Sequence, residues 1–213
     1  MISPHLDKPR NWLPATEVYG EGIFFVLSNS AMKAWEKKHK KELQRHYQKA
    51  LEVLEEGKGF PGFLNHVSVL PRSILAHTLS HVLMRQLCYE CGYHAASIRE
   101  RLYVSPDRVG FLIYTADGDS EGSLGGLVRQ GETARITRTI RSALERAAWC
   151  SNDPICSELP EHGIDGLNKA ACHACSLVPE TSCTHLNSML DRKVLIETSP
   201  LSKIRGFFAD ILE

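Results

Sequence analysis

The residues best suited to chemistry in this chain of 213 residues are its cysteines, of which Cys150, Cys156, Cys172, Cys175 and Cys183 fall close together. Thiolates bind zinc tetrahedrally, and a Cys-x2-Cys pair such as Cys172 and Cys175 sets two sulfurs on one side of an ion at little backbone cost. A second pair about 15 residues away can close the site, which is the spacing of structural zinc. The segment also contains Pro154, Pro160 and Pro179 and has too few apolar residues to pack itself. A metal supplies what its core cannot, since structural zinc in small peptides binds with about 10–16 kcal/mol.

Five cysteines compete for four places. The expected ligands are Cys156, Cys172, Cys175 and Cys183, with Cys150 the spare because it adjoins the apolar end of a helix. His162, His173 and His185 are nearby substitutes, inferior to thiolate as zinc ligands. Four sulfurs fill the coordination shell and no His-Glu-x-x-His stands beside them, so the zinc reads as structural rather than catalytic. The segment is acidic, with Asp153, Glu158, Glu161, Asp165 and Glu180 against Lys169, and a surface of that sign repels phosphate.

Three other patterns imitate chemistry. Cys88 and Cys91 form a Cys-x2-Cys pair, but they fall in the last turn of a helix, where the dipole raises rather than lowers a thiol pKa. They read as helix-end packing. Gly126 to Thr133, GLVRQGET, is one residue from a phosphate-binding loop, yet Glu132 stands where the lysine must be, so nucleotide binding is rejected. His77 and His81 lie one helical turn apart; with no carboxylate or third ligand at helical spacing they read as a packing pair.

Basic residues gather in two places. Lys33 to Lys49 is rich in lysine and arginine interleaved with Trp35, His39, His46 and Tyr47. Arg135, Arg138 and Arg141, with Arg129 and Arg146 nearby, form a second stretch and are the candidate contacts to nucleic acid or an acidic partner. The ordinary alternative is a solvated helix face. The whole chain is neutral, with 25 Lys and Arg against 25 Asp and Glu, so any nucleic-acid contact has to be a local patch.

These groups need a scaffold, and the sequence outlines one. A content of 43% hydrophobic and 23% charged residues excludes disorder, collagen-like repeats and a small disulfide scaffold. Val18 to Leu27 reads as a strand, and about Ser30 to Glu56 as a helix ended by Gly57, followed by a GKGFPGF loop. Pro71 opens the best helix, with Leu75, Leu79, Val82 and Leu87 on one face and Gly92 at the cap position. Strands follow around Ser97 to Val104 and Val109 to Ala116 across a Ser-Pro-Asp turn, then a glycine-rich loop, Asp117 to Gly126. A helix runs from about Glu132 to Trp149, and beyond the cysteines come a short helix at Leu186 to Leu190, a strand KVLIE and a last helix. The fold class is α+β: helices and a small sheet with a loop-rich four-cysteine zinc knuckle. The expected divisions are an extended arm 1–17, a docking body 18–149, a zinc-binding segment 150–192, and a C-terminal strand and helix 193–213 packing on the body. The N-terminus shows neither a basic nor an apolar signal region and no run approaches a membrane span, so the expected location is cytoplasmic.

WCSNDPIC, AACHACSLVPETSC and LNSMLDR, from Trp149 to Arg192, resemble the zinc-binding domain associated with MrfA-type DNA helicases. HTLSHVLMRQL, CGYHAASIRERLY, GSLGGLV and NWLPATEVYGEGIFF extend the similarity to about Trp12, most closely to the form carried by DrmB proteins of DISARM anti-phage systems. In that family Cys156 matches the cysteine preceding a three-cysteine run, and Cys172, Cys175 and Cys183 match the run itself. DrmB proteins are much longer, so this chain looks like a stand-alone or split subunit. The resemblance implies a non-catalytic zinc-binding accessory subunit that associates with a superfamily-two helicase or translocase in bacterial phage defence. The local basic faces are the candidate contacts of such a subunit to DNA. The alternatives are a zinc-stabilised DNA-binding regulator and a metal-dependent nuclease or hydrolase using His77 and His81.

Overall fold

The computed structural model describes residues 19–56, 69–115, 126–196 and 203–213. In chain order they form β1 (Gly22–Val26), α1 (Asn29–Lys38), α2 (Lys40–His46), α3 (Gln48–Glu55), α4 (Leu70–Cys91), β2 (Ile98–Ser105), β3 (Arg108–Thr115), α5 (Gly126–Gln130), α6 (Thr133–Ala147), α7 (Ile155–Glu158) and α8 (Ala209–Leu212), joined by short 3-10 turns and loops. The class is α+β. The proposed arm 1–17, the GKGFPGF loop and residues 117–125 of the glycine-rich loop lie outside the described residues.

The 22-residue helix α4 is the axis of the molecule. Proline in its first turn needs no backbone donor there, and Gly92 ends it at φ +72°, its N–H donating to the Cys88 carbonyl at 2.9 Å. The sequence implies one apolar face, but α4 is buried on nearly every side because the sheet, α6 and the cysteine-rich loops enclose it. Its polar residues turn inward with local partners: Ser73 donates to the Val69 carbonyl at 3.0 Å and Thr78 to that of Ile74 at 2.7 Å.

The sheet has the order β1-β3-β2 with both pairings antiparallel. Phe25 stands opposite Phe111, and the Ser105-Pro106-Asp107 corner closes the β2–β3 hairpin. Ile98 and Glu100 of β2, with Phe111 and Ile113 of β3, are buried. Phe24 and Tyr103 meet edge-on at 5.5 Å and remain largely exposed. Between β1 and α4 the expected single helix is broken into α1, α2 and α3 at His39 and Tyr47. The breaks wrap the segment around the core, so that Met32, Trp35, Leu43, Tyr47, Ala50 and Leu54 are all buried.

The C-terminal part departs from the sequence expectation. Leu186, Asn187 and Met189 have φ of 50°, 57° and 61°, which excludes the helix expected at Leu186 to Leu190. Asn187 holds this turn by accepting from Val178 N–H at 2.9 Å and donating to the Val178 carbonyl at 2.8 Å. The described residues of KVLIE, Lys193 to Ile196, are not a strand either: Arg192–Val194 is a 3-10 turn capped by Asp191. Residues 203–213 return onto it, with Phe207 N–H bonded to Val194 O and Phe208 N–H to Leu195 O, both at 2.8 Å. Only glycine permits that approach at position 206, where a Cβ would lie 2.4 Å from Ile196 Cα. Met32, α4, the sheet, α6 and Val194 to Ile196 then share one apolar cluster. Among the described residues no helix is long and apolar enough to cross a membrane.

Asp191 ties these layers together. Its completely buried carboxylate accepts from His46 Nε2 at 2.7 Å, Tyr47 Oη at 2.9 Å and Lys193 N–H at 2.9 Å, while its own N–H donates to Thr78 Oγ1 at 3.0 Å. Burial pushes its pKa up, but these partners, His46 first, prevail and hold it below the usual value. Asp191→Asn is expected to cost about 2–3 kcal/mol in urea unfolding at pH 7, since it weakens hydrogen bonds to a charged group. A depressed folded pKa stabilises above the unfolded value of about 3.9. The difference between the two proteins should therefore be constant down to about pH 4 and shrink below it.

Candidate metal centre

The end of α6 delivers the first sulfur. After Ala147 the chain turns, the Cys150 N–H donates to Asp153 Oδ2 at 2.8 Å, and the Cys150 side chain swings toward the knuckle. Cys156 stands on the short α7. Cys172 and Cys175 share a tight turn in which Cys175, Ser176 and Leu177 N–H groups all bond the Cys172 carbonyl, at 3.1, 2.9 and 3.1 Å. The sulfurs lie 3.5 Å apart for Cys150 and Cys172, and 3.8 Å apart for both Cys156 with Cys175 and Cys172 with Cys175. A tetrahedral Zn–S bond of about 2.3 Å requires sulfur–sulfur edges of about 3.8 Å, so these four fit the ion.

The surroundings suit bound thiolates. Asn152 N–H points to Cys150 Sγ at 3.4 Å, Cys172 N–H to Cys175 Sγ at 3.3 Å, and the Ser176 hydroxyl to Cys175 Sγ at 3.3 Å. The buried Arg192 guanidinium approaches Cys156 Sγ at 3.7 Å while bonding the Ala170 and Ala147 carbonyls and Asp153 at 3.0, 2.7 and 3.0 Å. Burial pushes Cys150 up to about 11 and, with the neighbouring Cys175, pushes Cys156 well above the usual thiol value. Burial opposes ionisation of Cys172 as well, but the Ala174 N–H and the adjoining thiols outweigh it and bring that group down to about 7. Crowded sulfurs of this kind ionise together when a cation joins them.

This is a correction to the expected ligand set. Cys156, Cys172 and Cys175 come together as expected, but Cys150 takes the fourth place and Cys183 lies elsewhere. Its sulfur is 3.2 Å from His77 Nε2, in a buried group with His81 and Glu100. His77 and His81 are therefore not a bare packing pair, because the fold brings them a carboxylate and a sulfur from distant parts of the chain. Glu100 could have been found from the alternation in IRERLYV, where it shares a strand face with Ile98, Leu102 and Val104. Cys88 packs against the core, and burial together with Cys91 pushes its pKa up to about 11, as expected of a structural thiol.

The phosphate-loop imitation resolves in the same way. Gly126–Gln130 is the helix α5, and its leading N–H groups at Leu127 and Val128 donate to the Glu21 carboxylate at 3.1 and 3.0 Å. The residues between the two glycines are thus helical and capped by a carboxylate of this chain, so they do not form the open loop that a phosphate needs. On α6, Arg138 and Arg141 are exposed and Arg135 is half-buried, paired with Glu132 at 3.2 Å; Arg146 stacks on Tyr89 at 4.2 Å.

The four clustered cysteines fall within a recognisable segment. Residues 79–176 match the MrfA Zn-binding domain. That stretch holds Cys150, Cys156, Cys172 and Cys175 and ends before Cys183. Over 209 residues, 97% of its length, the chain is also 39% identical to the DISARM protein DrmB of Bacillus paralicheniformis, of which it spans 36%. The sulfur donor set and the Zn-binding-domain match name the same metal, zinc. Arg192→Lys removes the forked contacts behind Cys156 and is expected to weaken zinc binding about 10–100-fold, measured by competition with a chromogenic chelator.

Proposed function

We propose that the chain is a zinc-stabilised, non-catalytic component of a DISARM-type anti-phage system, docking onto a superfamily-two DNA helicase of that system. The observation that carries this reading is the closed tetrathiolate, Cys150, Cys156, Cys172 and Cys175, lying inside the segment that matches the MrfA Zn-binding domain. Four sulfurs fill a zinc shell and leave no place for water or substrate, so the ion acts on the fold. The similarity to DrmB supports the assignment to phage defence. The exposed Arg138 and Arg141 on α6, with Arg135 beside them, supply the basic face toward DNA or an acidic patch of the helicase.

The hydrolase reading meets an obstacle in the position of its histidines. His77 and His81 are both fully buried, and a hydrolytic centre needs an open coordination position.

Co-purification of the chain with a tagged helicase from the same defence locus is the direct test. A complex that survives gel filtration is expected, and a chain that elutes alone overturns the reading. Cys150→Ser and Cys172→Ser should each remove the tetrathiolate zinc, measured by elemental analysis, and abolish both complex formation and protection in a plaque assay. The Arg138→Glu, Arg141→Glu double variant should keep its zinc and its fold while losing helicase or DNA binding. Each lost phosphate contact lowers the slope of log affinity against log salt by about 1.

A further inference from the structure

A second set of donors converges away from the tetrathiolate. His77 and His81 stand on α4, Glu100 stands on the inward face of β2, and Cys183 follows the 3-10 turn Glu180–Ser182. One donor atom from each lies within 4.8 Å of all the others, and all four residues are buried. His77 Nε2 is 3.2 Å from Cys183 Sγ and 3.0 Å from Glu100 Oε1, and His81 Nε2 is 3.2 Å from the same oxygen. A tetrahedral ion with bonds of about 2.0–2.1 Å to nitrogen and oxygen and about 2.3 Å to sulfur gives edges of about 3.3 Å and about 3.6 Å. The observed separations lie within about 0.4 Å of those edges.

The donors are also aimed from behind. His81 Nδ1 lies 3.0 Å from the Ser176 carbonyl, which assigns the proton to that nitrogen and turns the lone pair of Nε2 toward the cluster. The Ser80 hydroxyl donates to Glu100 Oε2, leaving Oε1 to face both imidazoles. Cys183 Sγ accepts the N–H groups of His185 and Asn187, both at 3.3 Å. A backbone carbonyl behind a histidine and a hydroxyl behind a carboxylate are the outer partners that metal ligands take.

Charge points the same way. Hydrogen bonds alone would need a second proton on His81, whose Nδ1 already points its own at the Ser176 carbonyl, making a cation of a ring whose centroid is 4.5 Å from that of His77 in a fully buried place. A divalent ion instead balances the Glu100 carboxylate and the Cys183 thiolate while both rings stay neutral.

We propose that His77, His81, Glu100 and Cys183 form a second metal centre, closed on all four sides by protein, that takes a borderline divalent ion of the zinc class. Two imidazoles, one carboxylate and one thiolate suit zinc over calcium or magnesium, which prefer all-oxygen shells. The centre joins α4, β2 and the Cys183 turn, and through His81 and Ser176 it abuts Cys175 of the tetrathiolate. It stands on its own geometry and does not depend on the helicase assignment.

Elemental analysis of the full chain, purified in zinc-supplemented medium and freed of loose metal, is expected to give two zinc ions per chain. Cys172→Ser should remove one of them, and Glu100→Gln or Cys183→Ser the other, leaving the tetrathiolate ion in place. Zinc-edge X-ray absorption on the unsubstituted chain needs no variant to fold and should show nitrogen or oxygen alongside sulfur in the first shell. One zinc per chain with a sulfur-only shell overturns the second centre and leaves the tetrathiolate untouched. Two zinc ions retained by both Glu100→Gln and Cys183→Ser overturn the ligand assignment.

Discussion

Four sulfurs within 4.8 Å of one another, linked through contacts of 3.5–3.8 Å, are the constraint on which the C-terminal half rests. Thiolates at that spacing repel one another, and burial opposes ionisation of Cys150, Cys156 and Cys172, so a cation between them is what makes the arrangement favourable. The segment carrying them has almost no regular structure apart from the four residues of α7 and short 3-10 turns. Its backbone is instead held by the metal-binding side chains, by the Asn187 bridge to Val178, and by the Arg192 fork that reaches Ala147, Asp153 and Ala170. A loop-built domain of this kind gains its order from metal coordination more than from apolar packing.

The other half works by the opposite means. Around α4 the helices and the sheet bury a continuous apolar cluster, and the Ser73 and Thr78 hydroxyls inside it donate to the Val69 and Ile74 carbonyls. Asp191 joins the two regimes: it comes from the cysteine-rich side, accepts from Tyr47 and His46 on the helical side, and uses its own N–H to touch α4 at Thr78. Ser176, next to Cys175, performs the same service toward His81.

The sequence made the local features legible and left the distant ones hidden. The Cys172–Cys175 turn, the Pro71 start and Gly92 cap of α4, and the β2–β3 hairpin all depend on residues a few positions apart, so spacing alone reveals them. Choosing between Cys150 and Cys183 required the direction in which the chain leaves α6 and the left-handed residues at 186, 187 and 189, neither of which has a periodic signature. The partners of His77 were hidden for the same reason, since Cys183 lies 106 positions away. Glu100 was the exception: a carboxylate on the apolar side of an alternating strand is an anomaly readable without any structure. The breaks at His39 and Tyr47 were missed because the apolar spacing of that segment stays helical across both, while the chain bends to follow the core.

Glu21 carries a consequence for how this scaffold can change. Its backbone pairs with Thr115 at the end of β3, with Thr115 N–H bonded to Glu21 O at 2.9 Å. Its carboxylate meanwhile receives the opening N–H groups of α5 and the Tyr93 hydroxyl. The chain therefore leaves the sheet and re-enters the helical layer at points fixed to one residue. One carboxyl-bearing residue thereby closes a clasp between Thr115 and Leu127, so the place of α5 against the sheet is set by Glu21 rather than by the sequence linking the two. A change in that linking sequence leaves the clasp, and the metal-bearing body behind it, in place.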